Sequence, residues 1–146
     1  MAAKLTRREA REAALGLIYE KDFGACDDDG TLLALACENR EIPENNKYIN
    51  AVFFGVCEHM EEIDALIARH SVGWRTERLT RVSRAILRLA VYELKYMDDI
   101  PANVTINEAV ELAKKYDDER AKPFINGILN AVKDELAGRE AGEENK

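Results

Sequence analysis

Proline is scarce in this sequence, with three residues among 146, at Pro43, Pro101 and Pro123. Because proline breaks helix interiors by removing a donor and clashing with the preceding turn, most of the chain is left free to form helices. Cysteine is as sparse: Cys26, Cys37 and Cys57 are odd in number and form no C-x-x-C pair. That gives no sign of a disulfide framework, and with no export signal the three thiols read as reduced in a cytoplasmic protein. No apolar run approaches the ~20 residues needed to span a bilayer, so no membrane role is expected. The opening MAAKLTRREAREAALGLIYE has neither an uninterrupted apolar region nor a cleavage site, and is not read as a signal peptide. His59 and His70 lack H-x-x-x-H and H-E-x-x-H spacing and read as surface or packed residues, not metal ligands. A Walker loop, a dinucleotide fingerprint and G-x-S-x-G are all missing. Cys57 and His59 are too close along a helix to face one another, which leaves thiol catalysis unsupported. The aspartates of Cys26–Gly30 fail as a calcium loop, since the first and last ligand positions fall on Ala25 and Ala36. A binding protein is expected, not an enzyme, with no cofactor, metal or small-molecule substrate.

What is present is charge and helical periodicity. Charged residues make up 34% of a chain rich in Ala, Leu, Glu, Lys and Arg, a composition that favours a helical protein. Thr6 and Glu9 form a capping-box pair opening a helix to about Phe23, with Ala10, Ala13, Ala14, Leu17 and Ile18 as its apolar stripe. A short helix follows from Thr31 to about Asn39, and Tyr48 to His70 reads as one long helix. Ser71 to Thr76, with Gly73 and Trp74, is a connector. Leu79 to Met97 is the most hydrophobic helix and is expected at the centre of the second half. The fold class is all-α: about seven helices in two three-helix sub-bundles within a single domain, 1–146. The sub-bundles cover about 4–72 and 78–138, and residues 139–146 are a polar tail expected to fray.

The net charge of −7 argues against indiscriminate nucleic-acid binding, but it hides a split. Asp27 to Asp64 carries a net −8, Lys4 to Arg11 a net +3, and Arg69 to Lys95 a net +5. Such local fields matter more to a charged ligand than the total. Lys4, Arg7, Arg8 and Arg11 recur at helical spacing, and Tyr19 lies three turns beyond Arg8 on nearly the same line. Cations followed by an aromatic suit single-stranded nucleic acid, which needs phosphate neutralisation and a stacking surface. The alternative is a solvated face with Tyr19 at the core edge. Arg81, Arg84, Arg88 and Lys95 form a second strip, either cationic surface or ion pairs to the acidic first half.

The stretch from Asp98 to Val132 holds two more helices. Thr105 and Glu108 read as a capping box, followed by Ile106, Ala109, Val110 and Ala113 on one face. After Asp117-Asp118-Glu119 the pattern restarts with Ile125, Ile128, Leu129, Val132 and Leu136. Pro123 fits the first turn of the second helix. The flanking period rejects a hairpin at Asn126-Gly127, and Gly127 is expected to let another helix approach closely.

Three segments in order carry a resemblance: R-R-E-A-R-E-A-A-L-G-L-I-Y from Arg7, R-V-S-R-A-I-L-R-L-A-V-Y-E-L from Arg81, and D-D-I-P-A-N-V-T-I-N-E-A-V-E-L-A-K-K-Y leading to F-I-N-G-I-L. Together they closely resemble the NusB antitermination factor family. The resemblance implies an all-α fold and binding of single-stranded boxA-type RNA from ribosomal RNA leaders. It further implies partnership with ribosomal protein NusE, and indirectly with other Nus factors and RNA polymerase. It places RNA contacts at Arg7, Arg8, Arg11, Tyr19, Lys122 and Phe124, with Phe124 stacking an unpaired base; Lys4, from its helical spacing, and Arg120, where the family commonly has an acidic residue, are expected to join them. For that, the N-terminal arginines are expected to fold back beside Phe124. It assigns a NusE surface to the Arg81–Leu94 helix, at Ser83, Arg84, Arg88 and Tyr92. Two other readings compete. One is the RNA-binding arm of a ribosomal-RNA cytosine methyltransferase, which needs a long C-terminal catalytic domain. The other is a helical protein–protein adaptor with no RNA role.

Overall fold

In a computed structural model, the structure describes residues 5–24, 28–40, 42–43, 45–71 and 80–144. Among these are seven α-helices and no strand: α1 (Arg7–Asp22), α2 (Asp29–Arg40), α3 (Lys47–Glu58), α4 (Met60–His70), α5 (Arg81–Tyr96), α6 (Ala102–Tyr116) and α7 (Ala121–Glu144). Lys4, Cys26 and most of the connector after Ser71 lie outside the described residues.

Helix α5 packs against α1, α3, α4, α6 and α7, so it serves both halves of the chain and not the second alone. Its sequence explains this. Ala85, Ile86, Leu87, Leu89, Ala90 and Val91 are all buried, an apolar circumference that only neighbours on several sides can cover. They join one core with Leu17 and Ile18 of α1, Phe53 of α3, Leu66 of α4 and Ile125, Ile128 and Leu129 of α7.

The capping box at Thr6 is formed, with the Glu9 amide donating to Thr6 Oγ1 at 3.1 Å and the Thr6 amide to Glu9 Oε1 at 3.0 Å. The capping box expected at Thr105 is not. Helix α6 starts four residues earlier, at Ala102 after Pro101, so Thr105 is already helical. Its hydroxyl instead donates to Glu93 of α5 at 2.9 Å.

The expected long helix from Tyr48 breaks at His59, whose φ of −107° and ψ of 22° end α3 and begin α4. The turn lays the His59 ring on Tyr96, centroids 4.5 Å apart. Both helices pack against α5, and their apolar spacing runs through the break.

Pro123 does lie in the first turn of α7, and Asn126-Gly127 is helical. Gly127 is exposed, on the side of α7 away from the core, where a close approach of another helix is not called for. That role falls to Gly55 of α3, where an added methyl would run into the Tyr92 ring of α5. The tail expected to fray continues α7 to Glu144.

Candidate nucleic-acid interface

Burial of Ala10, Ala14, Leu17 and Ile18 sets the rotation of α1 and thereby separates its three arginines. Arg7 and Arg8 are exposed, whereas Arg11 falls on the side of Ala10 and Ala14 and is 4% exposed. There Arg11 donates to both carboxylate oxygens of Glu93, at 2.8 and 3.0 Å. Tyr48 and Thr105 also donate to Glu93, so one buried carboxylate joins α1, α3, α5 and α6. Burial works against the Arg11 charge, but the hydrogen bonds and charge of Glu93 outweigh it and the guanidinium pKa is raised. Burial also pushes the Tyr48 phenol pKa up, with the Glu93 charge adding to the shift. The expectation that Arg11 contacts phosphate is therefore corrected: it is an interior structural cation.

Arg8 reaches across to α6, where its Nη2 meets Glu108 Oε1 at 2.8 Å. The hydrogen bond from Arg8 holds the Glu108 carboxyl below its usual range. One turn on from Arg8, Lys115 Nζ lies 2.6 Å from Glu12 Oε1. These two bridges span a groove between α1 and α6, each of which lies on α5. Arg7 differs, since no carboxylate among the described residues pairs with it. Its guanidinium carbon sits 4.7 Å from the centroid of the Tyr48 ring.

Three depressions run along this face. The first, of about 350 Å³, is lined by Glu12, Leu15, Gly16, Tyr19, Val82, Ala85 and Tyr116. The second, of about 320 Å³, shares Glu12 and adds Arg8, Glu108, Glu111, Lys114 and Lys115. The third, of about 490 Å³, shares Glu111 and continues to Asn107, Val110, Lys122, Pro123 and Asn126. Arg8, Lys114, Lys115 and Lys122 thus rim a continuous surface flanked by Tyr19 and Tyr116. Tyr116 is 47% exposed.

Phe124 requires a second correction. It is 4% exposed and belongs to the core with Ile125 and Ile128, so its ring is not on offer to an unpaired base. Because α7 begins at Ala121, Phe124 follows Ala121 by three positions on the buried side, leaving Lys122 half-buried and Pro123 exposed. The Arg8 bridge ends on α6, and it is Lys122, across Glu111, that shares the face. Arg120 is exposed in the α6–α7 turn, its amide donating to Asp118 at 3.1 Å.

The expected NusE residues divide as well. Ser83 is fully buried and donates to Asp117, and Arg88 is buried between Asp64, at 2.8 Å, and Asp22, at 3.2 Å. Neither side chain is free to meet a partner, which corrects both. For Arg88 the ion-pair alternative holds, because Asp22 and Asp64 belong to the acidic first half. Arg84 and Tyr92 remain partly exposed. The sequence reading missed Tyr48, Lys114, Lys115 and Tyr116. The last three stand in the K-K-Y quoted above, where their outward spacing on α6 was legible but unused.

The fold and face can now be set beside known proteins. The NusB family model matches residues 8–134. The chain belongs to the NusB family. It is 41% identical over 133 residues to the transcription antitermination protein NusB of Bacillus velezensis, covering 90% of this chain and 98% of that protein. The NusB of Bacillus cereus is 43% identical over 135 residues, covering 90% and 100%. Among solved structures, T. maritima NusB superposes with a TM-score of 0.79 at 35% identity, covering 97% of this chain and 99% of that one. NusB in the crystal structure of NusB and NusE in complex with dsRNA gives 0.76 at 32%, covering 88% and 96%. The expectation of a binding protein and not an enzyme agrees with the NusB family's antitermination role. Among the described residues, no helix is long and apolar enough to cross a membrane.

Proposed function

We propose that this chain binds single-stranded boxA-type RNA of ribosomal RNA leaders together with NusE. In that assembly it joins other Nus factors on RNA polymerase, in the cytoplasm, to suppress termination. The observation that carries the reading is the likeness, over 88% of this chain and 96% of that one, to a NusB solved with NusE and dsRNA. Both curated relatives are transcription antitermination proteins NusB, which favours this reading over the arm of a methyltransferase.

On this chain's own residues, the proposed phosphate path follows the face rimmed by Arg8, Lys114, Lys115 and Lys122 and takes in the exposed Arg7 and Arg120; Lys4, outside the described residues, is a further proposed contact. Each cation that meets a phosphate releases counterions, and the carboxylates Glu12, Glu108 and Glu111 limit how many do so. With Phe124 buried, stacking passes to Tyr19 and Tyr116, whose apolar depression opens beside the cations. A base seated on an aromatic there contributes about 1–3 kcal/mol. The NusE surface is assigned to α5 at Arg84 and Tyr92, the expected residues that remain partly exposed. The chain is taken as a single domain of two sub-bundles sharing α5.

The test is binding of a boxA-like single-stranded RNA, with and without NusE, over a salt series. Weak binding alone and tighter binding with NusE are expected. A shallower salt slope is expected in an Arg7→Ala, Arg8→Ala variant. Equal affinity for scrambled RNA would sink sequence recognition, and an unchanged slope would remove the arginines from the site.

A further inference from the structure

We propose that Tyr48 is a positioning residue for RNA binding, holding the Arg7 guanidinium in place without neutralising it. The inference rests on the reading of Arg7 as a phosphate contact. The three arginines of α1 are held in two different ways. Arg8 and Arg11 each meet a carboxylate, Glu108 and Glu93, at 2.8 Å. A phosphate must compete with that carboxylate or add to a pair already neutral. Arg7 is held by a ring, 4.7 Å from the centroid. An aromatic face attracts a cation through its quadrupole and carries no net charge, so the full positive charge of Arg7 stays available. The guanidinium N–H groups lie in its plane and remain able to grip phosphate oxygens in pairs.

The ring itself is fixed from inside. Tyr48 is 6% exposed, and its hydroxyl donates to Glu93, which is fully buried. Glu93 is held in turn by Arg11 and by Thr105. A chain of polar contacts therefore runs from the core through Tyr48 to one exposed cation. An arginine already ordered this way loses less conformational entropy when RNA arrives.

The experiment measures affinity for boxA-like RNA over a salt series, below the melting point of the least stable variant. Tyr48→Leu is expected to weaken binding about two- to fivefold, the scale of an exposed cation–π contact. Tyr48→Phe, which keeps the ring, is expected to restore most of that loss. Both substitutions remove the hydrogen bond to Glu93 and lower thermal stability, so stability alone would not separate them. In an Arg7→Ala background, the Tyr48→Leu effect is expected to vanish. A Tyr48→Leu protein that binds like the parent while Arg7→Ala weakens binding overturns this inference alone, as does a Leu effect undiminished by Arg7→Ala. An Arg7→Ala variant with unchanged affinity and salt slope overturns the phosphate reading of Arg7 and this inference with it.

Discussion

Arg11 and Glu93 meet edge to edge in the interior, Nε to Oε2 at 2.8 Å and Nη2 to Oε1 at 3.0 Å, across 82 positions of chain. Removing the arginine leaves a buried carboxylate whose charge is no longer matched, with only Tyr48 and Thr105 still donating to it. Losing one partner of a buried pair costs about 3–5 kcal/mol. Arg11→Leu is expected to lose stability on that scale in urea unfolding, while folded protein at low temperature keeps its RNA salt slope. A small stability loss with a shallower slope would return Arg11 to the RNA surface.

Phe124 presents the same contrast between surface and core. A ring stacking a base would be dispensable for folding, but a ring in the core with Ile125 and Ile128 is not. Phe124→Ala is expected to destabilise by about 3–5 kcal/mol through lost transfer energy and the cavity left behind. Phe124→Leu, closer in volume, should cost under about 1.5 kcal/mol. Near-normal RNA affinity is expected for the leucine variant at a temperature where it is folded. A large affinity loss without a stability loss would restore the stacking role.

These two residues show where the sequence was readable and where it was not. Helix identity and order follow from local spacing, except for the break at His59 that divides α3 from α4, and the Thr6–Glu9 cap could be read from two residues three apart. The depth of a side chain depends instead on which neighbours cover it. Arg7 and Arg11 sit on one helical line, yet a modest rotation of α1 exposes one and buries the other. The Thr105 and Glu108 spacing fits a capping box equally well, but α6 begins early and both side chains go to other helices. Glu93, the carboxylate that organises the interior, looked like any polar position on α5. Its partners lie 82, 45 and 12 positions away, beyond the reach of a periodicity argument.

The Arg8–Glu108 bridge offers a gain-of-function test. Glu108 occupies Arg8 and adds a negative charge to a groove proposed to carry phosphates. Glu108→Gln keeps the shape, removes the charge and frees Arg8 to meet RNA. Tighter binding is expected at low salt, with the log–log slope steeper by up to about one released counterion. Affinity unchanged by this substitution would place the RNA path elsewhere on the molecule.

The same carboxylate gives the fold a pH dependence of known sign. Hydrogen bonding to Arg8 lowers the Glu108 pKa, and the Thr6 amide does the same for Glu9. Between the lowered values and the ordinary one of 4.5, the unfolded chain binds more protons than the native state. The stability these groups contribute is therefore complete above the ordinary value and is lost as pH falls through the lowered ones. Glu108→Gln cannot titrate, so it lacks that contribution at every pH. The melting temperature of the parent should exceed that of Glu108→Gln near neutrality, modestly for so exposed a bridge, and the gap should close as pH falls towards 3. A gap that stays constant on acidification would mean that the ion pair with Arg8 does not stabilise the fold.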